Sequence, residues 1–265
     1  MSDEYPVRFE RRGPAAWIIL SRPERGNTID LATARALMEL SAACDADQGI
    51  RCVVVTGEGK LFCGGGDVQS FTAAGAEAPQ LIKAITAHLH VAIATFARMD
   101  KPLVTVINGP AAGAGLSLAA LGDIALASRS AHFTLAYTAI GLSPDGGASW
   151  LLPRLVGLRR AQELVLTNRR MSADEAAEAG LITRAVDPNV LVSEADKVIE
   201  ALAQGATGAL GRSRQLLLSS FGNSLETQME LEARAITASM ATADGREGVA
   251  SFQEKRRPEF GRKPE

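Results

Sequence analysis

The chain has 265 residues, 46% of them apolar and 22% charged, with a formal net charge of -2. Such a length and apolar content support a large buried core and exclude a disordered chain, while the near-neutral charge gives no electrostatic basis for gripping nucleic acid or an anionic membrane. Three cysteines (Cys44, Cys52 and Cys63) without CxxC spacing argue against a disulfide framework or a structural zinc site.

The first ten residues are charged and lack an apolar run, unlike a secretory leader. Residues 7–12 and 15–20 read as paired strands around a Gly13-Pro14 turn, and Arg22 to Asn27 as a loop. Asp30 is placed to cap a helix running to about Asp45, with Leu31, Ala34, Leu37, Met38 and Ser41 on one face. The apolar run 52–56 predicts a buried strand, followed by a first glycine-rich loop, Phe62-Cys63-Gly64-Gly65-Gly66-Asp67. A long helix over about 79–98 ends before Lys101-Pro102, because the residue preceding a proline is pushed out of the helical region.

A second buried strand over 103–107 leads into Asn108-Gly109-Pro110-Ala111-Ala112-Gly113-Ala114-Gly115 and a small-residue helix to about Leu121. The apolar stretch 111–127 is broken by Asp123 and too short to cross a bilayer. Strands near 124–127 and 132–135 precede a third loop, Gly141-Leu142-Ser143-Pro144-Asp145-Gly146-Gly147. Ser172-Ala173-Asp174-Glu175 is a capping box, and Asp187-Pro188 predicts a helix start with proline at the first position. No strand signal follows residue 188, and only Lys255-Arg256-Arg257 and Arg262-Lys263 are locally basic. The layout predicts an α/β body over residues 1–190 and a helical region over 191–265. Strand–loop–helix units at 52–74 and 103–121 suggest a stacked or spiral arrangement.

Strand, glycine loop, helix is a way of aiming bare backbone N–H groups at a ligand oxygen. Neither loop is a nucleotide fingerprint. Leu118 stands where the third glycine of a dinucleotide motif belongs, and Gly57-Glu58-Gly59-Lys60 lacks the Gly-Lys-Ser/Thr closure of a P-loop. Two such loops facing each other can hold one developing oxyanion, and Asp145 can move a proton beside it. Asp145 equally suits a role as cap of the helix beginning near Ala148. His88 and His90, two apart on a helix, point to different faces and do not chelate a metal. No base is placed to activate Cys63 as a nucleophile.

The segment Phe62 to Val68, the set Lys101-Pro102, Asn108-Gly109, Ala112 to Gly115 and Gly122-Asp123, and the block from Gly141 to Gly157 resemble the crotonase superfamily (enoyl-CoA hydratase/isomerase). So do Ser172 to Ala176 with Gly180-Leu181, and the ending Phe252 to Phe260. The resemblance implies an α/β fold: a crotonase-like spiral of ββα units with a C-terminal helical region that builds trimers, often paired into hexamers. It implies acyl-CoA thioester substrates, with CoA as the handle of the substrate and no separate cofactor. The oxyanion-hole N–H groups fall on Gly66 and Ala114, within loop residues Gly64, Gly65, Ala112 and Gly113. Arg25, Gly26, Asp67 and Val68 are expected along the CoA channel, and Lys255 at the nucleotide end of a CoA held by a neighbouring subunit.

The family's hydratases use two glutamates; Ser117 and Tyr137 occupy those positions here, which weighs against ordinary hydration. The third loop looks like the branch holding the phenylacetate-pathway epoxyphenylacetyl-CoA isomerases and Δ3,Δ2-enoyl-CoA isomerases, in which the aspartate matching Asp145 is the acid/base. An alternative branch, the 4-chlorobenzoyl-CoA dehalogenases, uses that aspartate as nucleophile with a histidine matching His90 and an aromatic residue matching Tyr137. A non-catalytic binder of CoA esters or RNA is the remaining alternative. The expected setting is cytoplasmic, without a membrane or nucleic-acid partner. Burial of Asp145 among Leu142, Trp150 and Leu151 is also expected.

Overall fold

β1 (Val7–Arg12) and β2 (Ala15–Leu20) form the expected antiparallel hairpin, with Val7 opposite Leu20 and Arg12 opposite Ala15. The structure, a computed structural model, describes residues 5–261; residues 1–4 of the charged N-terminus and Arg262-Lys263 of the basic tail lie outside the described residues. The chain continues through α1 (Leu31–Ala46), β3 (Cys52–Gly57), α2 (Val68–Ala74), α3 (Ala78–Arg98) and β4 (Leu103–Ile107). Next come β5 (Ala111–Ala112), α4 (Ala114–Ala120), β6 (Ile124–Ser128), β7 (His132–Thr134), α5 (Ala148–Val156) and α6 (Leu158–Thr167). β8 (Met171–Ser172), α7 (Ala173–Glu178) and β9 (Arg184–Val186) complete the strands, and α8 (Leu191–Ala203), α9 (Thr207–Ser220), α10 (Leu225–Met240) and α11 (Ala243–Gln253) follow.

The strands make one six-stranded sheet in the order β1-β2-β3-β4-β6-β9 and a smaller one in the order β5-β7-β8. Beyond the hairpin the larger sheet is parallel throughout, so both of its faces need helical cover. The period-2 alternation divides them. Ala16, Ile18, Leu20, Val53 and Val55 enter the core that α1 and α3 close, whereas Trp17, Ile19, Val54, Val104 and Val106 meet Leu191, Ala195 and Ile199 of α8 on the other side. This double burial is why the strand sequences are continuous apolar runs rather than alternating ones. α8 therefore belongs with the sheet, and packing by helices alone begins after Ala203 rather than at residue 190.

α1 starts where the sequence predicts. The Thr33 N–H donates to Asp30 Oδ1 at 2.9 Å, and Arg22 Nη1 lies 2.7 Å from Oδ2. Burial works against the Asp30 carboxylate, but Arg22 and Thr33 outweigh it and hold its pKa below the ordinary range. The helix expected at Asp187-Pro188 starts later, at Leu191. Asp187 instead closes a turn: its Oδ1 accepts the Asn189 N–H at 2.8 Å and its carbonyl accepts the Val190 N–H at 3.1 Å.

By length and hydropathy alone the run Val68–Arg98 is apolar enough to cross a bilayer. It is interrupted by a 3-10 turn at Gly75–Glu77, and α3 turns Ile85, Leu89, Ala92 and Phe96 into the protein core against α1. The C-terminal helices are anchored by Arg214 of α9. Its guanidinium donates to the carbonyls of Phe96 (2.9 Å), Lys101 (2.8 Å) and Met99, and it pairs with Asp123 at 2.7 Å. Those carbonyls close the end of α3, so one buried cation ties the tail to the helix that runs past the site.

Candidate active site

The first two glycine loops meet edge to edge. Two isolated parallel bridges join Ile29 to Gly66 and Cys63 to Ala111. In the first, the Ile29 N–H donates to Gly65 O (2.7 Å) and the Asp67 N–H to Ile29 O (3.1 Å). A parallel bridge uses the groups on either side of the bridged residue, so the Gly66 amide faces away from its partner strand. In the second, the Ala112 N–H donates to Cys63 O at 2.9 Å. The Gly113 N–H goes to Thr134 O (3.0 Å), and Ala114 opens α4, ahead of the first intrahelical bond. Among the described residues, no acceptor pairs with the amide of Gly66 or of Ala114.

Glycine is required where the loops touch. Gly65 has φ +92°, and a Cβ there would lie 2.7 Å from Ala112 O; a Cβ on Gly115 would lie 2.3 Å from Cys63 O. The loop bearing Arg25 and Gly26 joins the same cluster through the Gly64 N–H, which donates to Gly26 O at 2.9 Å. Asp67 is buried, accepts the Gln69 N–H to cap α2 at 3.2 Å, and sits 2.5 Å from Arg25 Nη2. Its charge is thus matched within the protein. Arg25 and Val68 remain exposed beside it. Lys255 lies in the turn after α11, exposed, and none of its hydrogen bonds joins it to the loops.

Asp145 is not a helix cap. α5 is capped at Gly147 without a side-chain bond, and only the Asp145 carbonyl is used, by the Ala148 N–H (3.1 Å). Its carboxylate Oδ1 accepts the Tyr137 hydroxyl proton at 2.5 Å. The Ser117 hydroxyl donates to the Asp145 carbonyl at 3.1 Å, and the Gly146 N–H donates to His90 Nε2 at 3.2 Å. Four positions spread over residues 90 to 145 (90, 117, 137 and 145) thereby form one polar cluster. Tyr137 packs next to the second loop, since a Cβ on Gly113 would come 3.9 Å from its Cζ. Burial first, then the neighbouring Asp145 charge, pushes the Tyr137 pKa well above the ordinary phenol value and keeps the hydroxyl a proton donor. The expected apolar enclosure of Asp145 is incomplete: Leu142 and Trp150 are 39% and 43% exposed, because the third loop lies at the protein surface.

Cys63 carries no nucleophilic function. It is fully buried, burial pushes its pKa up to about 12, and its Sγ lies 3.1 Å from Asn27 O. Asn27 is a residue the sequence reading passed over. Buried at φ +53°, its amide donates to Glu58 O and Leu61 O, each at 2.9 Å, and fastens the Arg25 loop to the first glycine loop. Asn in a left-handed turn after Gly26 was its only signal. Phe71 was missed too; its ring covers Gly66, 3.0 Å from where a Cβ would stand. His88 turns to the Ala84 carbonyl of its own helix at 2.7 Å and takes no part.

A family model described as enoyl-CoA hydratase/isomerase matches residues 10–263. The chain belongs to the enoyl-CoA hydratase/isomerase family. Its expected crotonase-like fold is matched by an enoyl-CoA hydratase crystal structure from Polaromonas sp., with TM-score 0.90 and 33% identity over 95% of this chain and 98% of that one. A 1,2-epoxyphenylacetyl-CoA isomerase from Escherichia coli is 38% identical over 92% of this chain and 93% of its own length. A 4-chlorobenzoyl coenzyme A dehalogenase from Arthrobacter sp. is 32% identical over 96% and 92%. Members of the enoyl-CoA hydratase/isomerase family act on acyl-CoA thioesters, and these relatives span three different reactions on one fold.

Proposed function

We propose that the chain is an acyl-CoA isomerase that shifts a double bond in a CoA thioester, with Asp145 as its acid/base. One observation carries this reading: the Asp145 carboxylate is oriented by Tyr137 rather than used to cap α5. The other polar side chains gathered around it, His90, Ser117 and Tyr137, are not carboxylates. Hydration calls for one group to activate water and another to handle the α-carbon proton, whereas a proton shift needs a single base.

In this reading the thioester oxygen lies between the unpaired amides of Gly66 and Ala114. Asp145 takes a proton from C2 of a 3-enoyl thioester, and the C–H electron pair moves through the carbonyl to leave an enolate oxygen. The dienolate then takes a proton from Asp145 at C4, and the double bond ends conjugated with the carbonyl. Each oxyanion donor contributes about 3 kcal/mol, and a positioned base about 10²- to 10⁴-fold in rate. CoA is part of the substrate, and the step calls for no other cofactor. Arg25, Gly26, Gly64, Gly65, Val68, Ala112 and Gly113 line the approach to these amides, with Asp67 holding Arg25 in place.

The cytoplasm is the proposed setting, which the three buried, unpaired thiols suit. A trimer, or two trimers paired, is the proposed assembly. Leu217, Phe221, Leu225 and Ile236 on α9, α10 and their connection are each about 70% exposed, an apolar face of the kind that subunit contacts cover. Lys255 would then meet the CoA of a neighbour.

A second reading is favoured by His90, whose Nε2 already contacts the Asp145 loop. There Asp145 would attack a haloaryl ring as nucleophile, with His90 serving the subsequent hydrolysis. Incubating the protein with 3-enoyl-, 2-enoyl- and 4-chlorobenzoyl-CoA in D2O, followed by mass spectrometry, separates the readings. Isomerisation leaves the mass unchanged apart from deuterium at the α- or γ-carbon, hydration adds water, and dehalogenation releases chloride. Undiminished isomerisation by Asp145→Asn would remove Asp145 from the mechanism.

A further inference from the structure

Beside the third loop opens a cavity of about 1170 Å³, bordered by His90 and Gly147. Its apolar wall comes from Ile93, Ala94, Ala97, Leu121, Trp150 and Leu151. Its charged lining is one-sided: Arg98, Arg212, Arg214 and Arg234 against Asp123, in a chain whose net charge is -2. Arg214 is matched by Asp123 at 2.7 Å, and Arg234 by Glu230 at 2.8 Å. Arg98 and Arg212 have no carboxylate partner among the described residues. The acid nearest Arg98 in the chain, Asp100, accepts instead from Gln215 Nε2 at 3.3 Å, and the same Nε2 reaches the Arg98 carbonyl at 3.2 Å.

α3 gives the cavity a ruler. His90, Ala94 and Arg98 succeed one another at i, i+4 and i+8 on a single stripe of the helix. The stripe starts at the histidine that holds the Gly146 amide and ends at Arg98, whose backbone lies roughly 12 Å further along the axis, at 1.5 Å per residue. The cavity that begins at His90 and Gly147, beside the Asp145 loop, therefore has an apolar wall along this stripe and Arg98 at the stripe's far end. A plain hydrocarbon or a phenyl ring would use the wall and leave two guanidiniums unanswered.

We propose that this cavity is the acyl subsite and that it selects acyl groups ending in an anion, a terminal carboxylate held by Arg98 and Arg212. The proposal rests on the reading that the thioester reacts at Asp145. An extended chain advances about 1.2 Å per bond, so about ten bonds set the upper limit between the reacting carbon and that carboxylate.

The test compares matched 3-enoyl-CoA thioesters of about eight to fourteen acyl carbons, one set ending in methyl and the other in carboxylate, in wild type, Arg98→Met and Arg212→Met. Wild type is expected to favour the carboxylate series by about tenfold or more in kcat/KM, as for a charge-assisted hydrogen bond. Each substitution should pull that ratio toward one, with the change mainly in KM. A wild-type ratio at or below one, or a preference that survives both substitutions, overturns the proposal. Calorimetric binding of the corresponding saturated thioesters to Asp145→Asn separates this idea from the reaction itself. Absent turnover by the wild type, with a binding preference for the carboxylate series, sinks the isomerase reading and keeps the subsite. Equal binding of both series sinks the subsite alone. Should Arg98→Met or Arg212→Met change the assembly mass by light scattering with the substrate ratio already at one, the cavity is a subunit contact and the proposal fails.

Discussion

Replacing Tyr137 with phenylalanine removes one hydroxyl and leaves the ring against Gly113. That hydroxyl lies 2.5 Å from Asp145 Oδ1, the length of a charge-assisted O–H···O⁻ bond, which is worth about 1.5–3 kcal/mol. With about 1.4 kcal/mol per factor of ten, losing the orientation it provides should lower kcat by about ten- to hundredfold with little change in KM. Tyr137 is a positioning residue, so its effect must run through Asp145, and a double-mutant cycle reads this directly. Tyr137→Phe should slow the wild type by the full factor and have almost no further effect on the residual rate of Asp145→Asn. An equal effect in both backgrounds, or none in the wild type, refutes the argument. The same contact leaves a mark on stability. Burial and the Asp145 charge raise the Tyr137 pKa in the folded state, so its contribution is complete below the unfolded value of about 10 and is lost as pH climbs above it. Urea midpoints of Tyr137→Phe should therefore fall less steeply than wild type above about pH 10.

Other consequences are open to measurement. Gly65→Ala places a Cβ 2.7 Å from Ala112 O at φ +92°, which forces the two loops apart; kcat should drop about a hundredfold, the value of one oxyanion donor, while circular dichroism stays native. Burial pushes the pKa of Cys44 up to about 11 and those of Cys52 and Cys63 to about 12. All three thiols should resist Ellman's reagent at neutral pH until the protein unfolds, and rapid labelling of any one contradicts the burial argument. Because these pKa values are raised, the associated stability is whole below the unfolded value of about 8.5 and declines as pH rises toward about 11 and 12. Arg214→Met strips three carbonyls and Asp123 of a buried donor. It should destabilise the fold by about 3 kcal/mol in urea titration and speed amide exchange along α9 ahead of the sheet.

How much of this was legible beforehand depends on the range of the interaction. The hairpin, the cap at Asp30, the long α3 and the strands entering the glycine loops are set by residues within a turn or two of one another, so periodicity and capping chemistry locate them. Their failures are local as well: at Asp187 two readings of the same residues compete, and the side chain closes a turn on Asn189 rather than opening a helix. The glycines announced a close approach but not what they approach. Gly65 and Gly115 meet Ala112 O and Cys63 O across some fifty residues of chain, where the Cys63–Ala111 bridge brings the two loop edges together. The resemblance to a family supplied the candidate residues, and the comparisons place the chain in that family.

Residue order alone set out buried strands leading into glycine loops, three such loops and a lone aspartate, because apolar period, backbone freedom and residue chemistry are written one position at a time. Only the folded chain decided what the aspartate does. On its own, Asp145 fits a helix cap; in the folded chain Tyr137 lies against its carboxylate, Ser117 on its carbonyl and His90 on the next amide, the setting of the proposed acid/base. Those contacts, like the unmatched arginines that α3 and α9 turn toward one cavity, arise from packing between distant segments, and the strength of each depends on a separation that residue order does not contain.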